Sequence, residues 1–131
     1  MLLAVDIGNT NIALAVMRGA QTVRVKRLET RMGADALKKA LEKALKSLAG
    51  ARAVTHVIIC SVVPNATGIV EAAVQKILYQ KAVVVGRDIF APIKNRYTNP
   101  RQVGQDRLVG AFAAAEIYGT PALVIDLGTC L

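Results

Sequence analysis

Two short stretches of this 131-residue sequence combine side chains suited to holding an anion. One is Asp6-Ile7-Gly8-Asn9-Thr10, which follows an apolar run. The other lies near the far end, where Leu123-Val124-Ile125-Asp126-Leu127-Gly128 echoes Leu3-Ala4-Val5-Asp6-Ile7-Gly8. Each is an apolar run ending in Asp, then one aliphatic residue, then Gly, with Thr10 or Thr129 close behind. Glycine lets the backbone bend tightly and approach phosphate oxygens. Backbone N–H groups and Asn or Thr side chains then bind the anion. An Asp at the strand end faces a bound metal, usually through water. Two such turns across a cleft would grip one triphosphate from both sides. A single Asp-x-Gly serves equally well as a plain hairpin turn. Its repetition behind two apolar runs favours phosphate binding.

These turns need strands to carry them. Leu2 to Val5, Asn11 to Met17 and Thr22 to Leu28 form three closely spaced strand-like runs, an expected antiparallel meander. Gly33 to Leu48 predicts a helix with Leu37, Leu41, Leu45 and Leu48 on one stripe, Glu42 placed to pair with Lys46, and Gly50 as its stop. His56 to Val63 reads as a buried strand ended by Pro64, and Asn65 as the cap of a following helix through Leu78. Ala82 to Val85 adds a short strand. Phe90 to Gln105 is a polar, proline-containing loop of a length often reserved for function. Asp106 to Tyr118 predicts an Ala-rich helix with Leu108, Val109, Phe112, Ala115 and Ile117 facing inward and Gly119 as its stop. Ala122 to Ile125 is a last expected strand. The order βββαβαβ points to an α/β domain.

Composition agrees. Hydrophobic residues make up 53% and charged residues 20%, which excludes intrinsic disorder. Aromatics are 4% and Trp is absent, so the core is built from Ala, Val, Ile and Leu, which suits parallel strands under helices. The net charge of +8 fits nucleic acid or an anionic small molecule. No aromatic platform accompanies the charge, and Lys38, Lys39, Lys43 and Lys46 read as the wet face of a helix. Cys60 and Cys130 suggest neither a disulfide framework nor a zinc site. No signal-peptide pattern or membrane-length apolar run is visible, so a cytoplasmic setting is expected. His56 reads as structural, and Ser61 lacks a neighbouring base that would make it a nucleophile.

Five stretches, taken together and in order, resemble the type III pantothenate kinases, of the ATPase superfamily that takes in actin and the sugar kinases. They are Asp6 to Ile12, Ser61-Val62-Val63-Pro64, Tyr97-Thr98-Asn99-Pro100, Gly104-Gln105-Asp106-Arg107-Leu108 and Leu123 to Thr129. The resemblance implies a ribonuclease H-like, actin-like ATPase domain with a mixed five-stranded sheet and flanking helices. It implies ATP-dependent phosphorylation of pantothenate to 4'-phosphopantothenate, the first step toward coenzyme A. By position it implies an ATP loop of Asp6, Ile7, Gly8, Asn9, Thr10, Asn11, Ile12 and Ala13, with Thr129 on the ATP phosphate. Tyr97, Gly104, Gln105, Asp106 and Arg107 would line the pantothenate pocket. Asp106 would be the proton acceptor, and Asp126 would hold a monovalent cation, K⁺ or NH₄⁺. Mg²⁺ and a homodimer are implied as well.

The residues themselves support Asp106. It stands where an irregular loop becomes a helix, so the helix N-terminus favours its ionised form. Such a carboxylate is a weak base. In a loose phosphoryl-transfer transition state, orienting the hydroxyl matters more than removing its proton early. Arg107 beside it suits a bidentate pair with a substrate carboxylate. The plainer readings are a helix cap, a surface arginine and, for Tyr97, a loop anchor.

The family's members are roughly twice as long. Residues 1–119 are expected to form the first domain with its connecting helix. Residues 120–131 would be the first strand and phosphate turn of a truncated second domain. Self-association through the strand at 122–125 and poor turnover by this chain alone follow as expectations. The rivals are another sugar or acetate kinase, a non-catalytic pantothenate- or phosphate-ligand-binding protein or regulator, and a basic nucleic-acid binder, for which a steep salt dependence would speak. No membrane partner is expected.

Overall fold

A computed structural model describes residues 1–48 and 54–127. Its strands are β1 (Leu2–Ile7), β2 (Asn11–Arg18), β3 (Gln21–Glu29), β4 (His56–Ser61) and β5 (Ala82–Val84). Its helices are α1 (Ala34–Leu48), α2 (Pro64–Leu78) and α3 (Gln105–Tyr118), with a short 3₁₀ turn at Pro100–Gln102. The sheet order is β3-β2-β1-β4-β5. β1, β2 and β3 pair antiparallel, while β4 and β5 add parallel to β1 through helical crossovers. This is the expected mixed five-stranded, ribonuclease H-like sheet.

The strands' period of two divides the sheet into two faces. Leu3, Val5 and Ile7 of β1, Ile12, Leu14 and Val16 of β2, and Val57 and Ile59 of β4 are buried. They meet Leu37, Leu41, Leu45 and Leu48 of α1 and Val70, Val74 and Leu78 of α2 in one core. The predicted leucine stripe of α1 is therefore its buried face. The alternate residues, Ala4 and Asp6 of β1 and Ala13 and Ala15 of β2, lie on the opposite face. There α3 stands off the sheet and leaves a cavity of about 420 Å³ lined by Ala4, Ala15, Ile58, Cys60, Val109 and Gly110, among others.

Several local expectations change. Asn65 lies inside the first turn of α2. Val63 is the cap residue, with no side-chain cap bond, and Pro64 occupies the first turn, where its missing N–H costs nothing. Glu42 pairs with Lys76 of α2 at 2.6 Å, which ties the two helices together and holds the Glu42 carboxyl below its usual range. None of the described residues of α3 is buried, and Ile117 is exposed; Leu108, Val109, Phe112 and Ala115 are only half-buried. On β3, Lys26 and Arg24 lie opposite the core-facing Leu14 and Val16, so their stems run along the α1 side. Arg24 there donates to the Ser47 carbonyl oxygen at 3.4 Å. Residues 122–127 carry no regular structure and pair with no strand among the described residues. Gly50, the expected stop of α1, and Thr129 lie outside the described residues.

Candidate active site

The turn between β1 and β2 is the first wall of the site. Gly8 N–H donates to the Asn11 carbonyl at 2.9 Å and closes it. A residue far along the chain braces it. Thr30, buried just after β3, donates its hydroxyl to the Gly8 carbonyl at 2.7 Å, and its N–H donates to the Thr10 carbonyl at 2.8 Å. Thr30 was not singled out from the sequence, because nothing in residues 28–32 marks contact with a turn about twenty positions upstream.

The second wall is the loop entering α3. Gly104 is the cap residue of α3. A Cβ there would overlap Asp106 Oδ1, so glycine is what lets the carboxylate fold back over the helix start. Oδ1 accepts the Arg107 N–H at 2.9 Å, which leaves Oδ2 without a protein donor among the described residues. Asp106, expected as a cap, therefore lies inside the first turn of α3, with one carboxylate oxygen anchored there.

Between these walls lies a cavity of about 410 Å³. Asp6, Gly8, Asn9, Thr10 and Asn11 line it from the first turn, Gly104, Asp106 and Arg107 from the second, and Asp126 from the segment after α3. Three carboxylates from distant parts of the sequence therefore share one opening. The Asp6 carboxyl is pushed above its usual range, first by loss of hydration against the sheet and then by the charges of Asp106 and Asp126. Its side chain is nevertheless open to solvent at the mouth. Beneath it the Cys60 thiol rises to about 11, by burial first and then by the charges of Asp6 and Asp106, so it is a poor nucleophile near neutral pH.

Other expected site residues point elsewhere. Ile7 and Ile12 are fully buried in the α1–α2 core, as alternation with Asp6 and Asn11 requires. Ala13 lines the cavity under α3. Tyr97 is 60% exposed and lines none of the three cavities described here, although its N–H donates to Asn95 Oδ1 at 3.0 Å and so helps shape the loop. Gln105 turns to a different cavity, on the far side of Gly104. Val62 and Gln102 line the first cavity without a role having been assigned to them from the sequence.

The donor set is hard oxygen throughout: carboxylates, Asn carbonyls and a Thr hydroxyl. Among the described residues no three His, Cys, Asp or Glu side chains gather closely enough to cage a metal. One or two carboxylates beside room for phosphate oxygens and water is the arrangement Mg²⁺ favours over an all-protein cage.

The family model of the type III pantothenate kinases matches residues 2–131. The chain belongs to the type III pantothenate kinase family. Relatives named type III pantothenate kinase include those of Moorella thermoacetica, 36% identical over 98% of this chain and 52% of the relative, and Finegoldia magna, 35% identical over 100% and 51%. The Brevibacillus brevis relative is 39% identical over 98% and 52%. The chain spans about half the length of these curated relatives. It has the α/β architecture of the family's actin-like ATPase superfamily, and no described helix is long and apolar enough to cross a membrane.

Proposed function

We propose that this chain provides one side of the active site for ATP-dependent phosphorylation of pantothenate to 4'-phosphopantothenate. The observation that carries this reading is the shared cavity: the Asp6–Asn11 turn, Asp106, Arg107 and Asp126 line one opening. The turn's backbone N–H groups and the Asn9, Thr10 and Asn11 side chains receive the phosphate chain of ATP. Arg107, which forms no ion pair among the described residues, takes the pantothenate carboxylate in a two-point contact. The free Oδ2 of Asp106 accepts the hydroxyl proton as the oxygen attacks the γ-phosphorus, and the bond from that phosphorus to the β,γ-bridging oxygen breaks to leave ADP. Positioning and charge stabilisation supply most of the rate in such a transfer. Asp6 and Asp126 would hold Mg²⁺ and a monovalent cation, K⁺ or NH₄⁺; these ions neutralise charge on the phosphates when bound. The raised Asp6 carboxyl fits this role, because after burial it is the charges of Asp106 and Asp126 that raise it, and three carboxylates around one opening favour a cation.

In this reading residues 1–119 are the first domain and 120–131 open a second, with Thr129 reaching ATP phosphate. Leu123, Ile125 and Leu127 are strongly exposed, which supports self-association through this segment and a homodimer. The setting is cytoplasmic. Binding without turnover is the second reading. Asp126 alone, among the described lining residues, comes from beyond α3, so the pantothenate contacts do not need that segment.

Calorimetry of the 131-residue chain with pantothenate tests the proposal. Arg107→Ala is expected to weaken binding by about 10- to 100-fold, as loss of a charge-assisted pair does. Absence of pantothenate binding by the unaltered chain, or equal binding by the variant, overturns it.

A further inference from the structure

Among the described residues the buried polar side chains are Thr30 and Thr67. Thr67 serves the start of α2, where its hydroxyl lies 2.8 Å from Ser61 Oγ and 3.0 Å from the Val63 carbonyl. Thr30 stands just after β3. A buried hydroxyl costs free energy unless it is bonded, and valine has the same shape without it. The Thr30 N–H does only what any residue there would do: it carries the β2–β3 ladder one step further, donating to the Thr10 carbonyl at 2.8 Å. The hydroxyl does something that valine could not. It reaches the Gly8 carbonyl at 2.7 Å, across 22 positions of sequence.

That bond fixes a peptide plane. In a planar trans peptide the carbonyl and the N–H point in opposite directions. With the Gly8 carbonyl held toward Thr30, the Asn9 N–H of the same peptide is turned to the other side. Asn9 lines the 410 Å³ cavity, and its N–H meets no acceptor among the described residues. Gly8 has no side chain to limit rotation of the peptides that flank it, so the plane needs an anchor from elsewhere. A carbonyl that accepts a bond also polarises its own peptide, which makes the N–H a stronger donor.

We propose that Thr30 is a positioning residue for the bound anion: its hydroxyl sets the Gly8–Asn9 peptide so that the Asn9 N–H donates to a phosphate oxygen. Thr30 itself touches no phosphate. The inference rests on the phosphate-binding role proposed for the Asp6–Asn11 turn, and it adds which donor acts and what holds it.

The test is calorimetry of the 131-residue chain with magnesium tripolyphosphate, with the amide ¹H–¹⁵N spectrum recorded alongside. Thr30→Val keeps the shape and the N–H of residue 30 and removes the hydroxyl; Thr30→Ser keeps the hydroxyl. The unaltered chain and Thr30→Ser are expected to bind alike, and in both the Asn9 amide proton moves downfield. Thr30→Val is expected to bind about tenfold more weakly per folded molecule, with no downfield movement of that proton. Leu41→Ala, which weakens the core without touching the turn, separates this effect from lost stability: its folded molecules should bind as the unaltered chain does. Equal binding by Thr30→Val, a Thr30→Ser chain weakened about tenfold, or binding that leaves the Asn9 proton of the unaltered chain in place overturns this inference alone. No binding by the unaltered chain overturns the phosphate role of the turn, and this inference with it.

Discussion

The two faces of the central sheet are built from the same strands and do opposite work. On the α1–α2 side every second residue of β1 and β2 is a large aliphatic, fully buried. On the other side the alternating positions hold Ala4, Ala13 and Ala15, with Asp6 at the rim, and α3 leaves open space above them. The closed face supplies stability. The open face spends little of it, because small side chains bury little area, and so has room for carboxylates and ligands. One residue's step along β1, from Val5 to Asp6, crosses from one role to the other.

Mutations on the two faces should therefore differ in size. Leu41→Ala, at the centre of the closed face, is expected to cost about 2–5 kcal/mol in chemical denaturation. A loss below 1 kcal/mol would mean the core is not packed as described. Thr30→Val should cost about 1 kcal/mol, since the Gly8 carbonyl loses its donor. It should also broaden the amide signals of Gly8 and Asn9, an effect that Leu41→Ala does not produce at equal native population. Val25→Ala, opposite Ala15 on the open face and 41% exposed, should shift stability by no more than about 0.5 kcal/mol.

The smallest effect has a sign worth working out. The folded state raises the Asp6 carboxyl, so it holds that proton more tightly than the unfolded chain does. Asp6 therefore favours folding below its ordinary titration range, and this advantage is lost as pH rises through the raised value. Asp6→Asn should accordingly raise the melting temperature slightly at pH 7, with the gain vanishing in acid. A lowered melting temperature at pH 7 would show that charged Asp6 is stabilised within the fold.

Much of this was readable in the residues because the physics involved is local. Alternation and turn residues located the five strands of the sheet but not the strand expected at 122–125, the leucine spacing gave the buried stripe of α1, and Asp6 and Asp126, one from each Asp-x-Gly stretch, line one cavity. The same alternation also implied that Ile7 and Ile12 face the core, and assigning the whole Asp6–Ala13 run to the phosphate loop overrode it. What stayed hidden depends on contacts between distant segments. Thr30 reaches Gly8 only once β3 is paired, and Glu42 finds Lys76 only once α1 packs on α2. The outward turn of Gln105 follows from the space left by Gly86, and the half-open face of α3 from a sheet surface made of alanines. Neither leaves a mark in the helix's own sequence.

The account turns on three distant carboxylates sharing one opening on the open face. The direct measurement is the titration midpoint of the Asp6 side-chain carboxyl, followed by carbon-13 NMR in the unaltered chain, in Asp106→Asn and in Asp126→Asn. Removing either neighbouring charge should lower the Asp6 midpoint toward its ordinary value. A midpoint that neither substitution moves would mean that these groups do not face one another, and the proposed site would not exist.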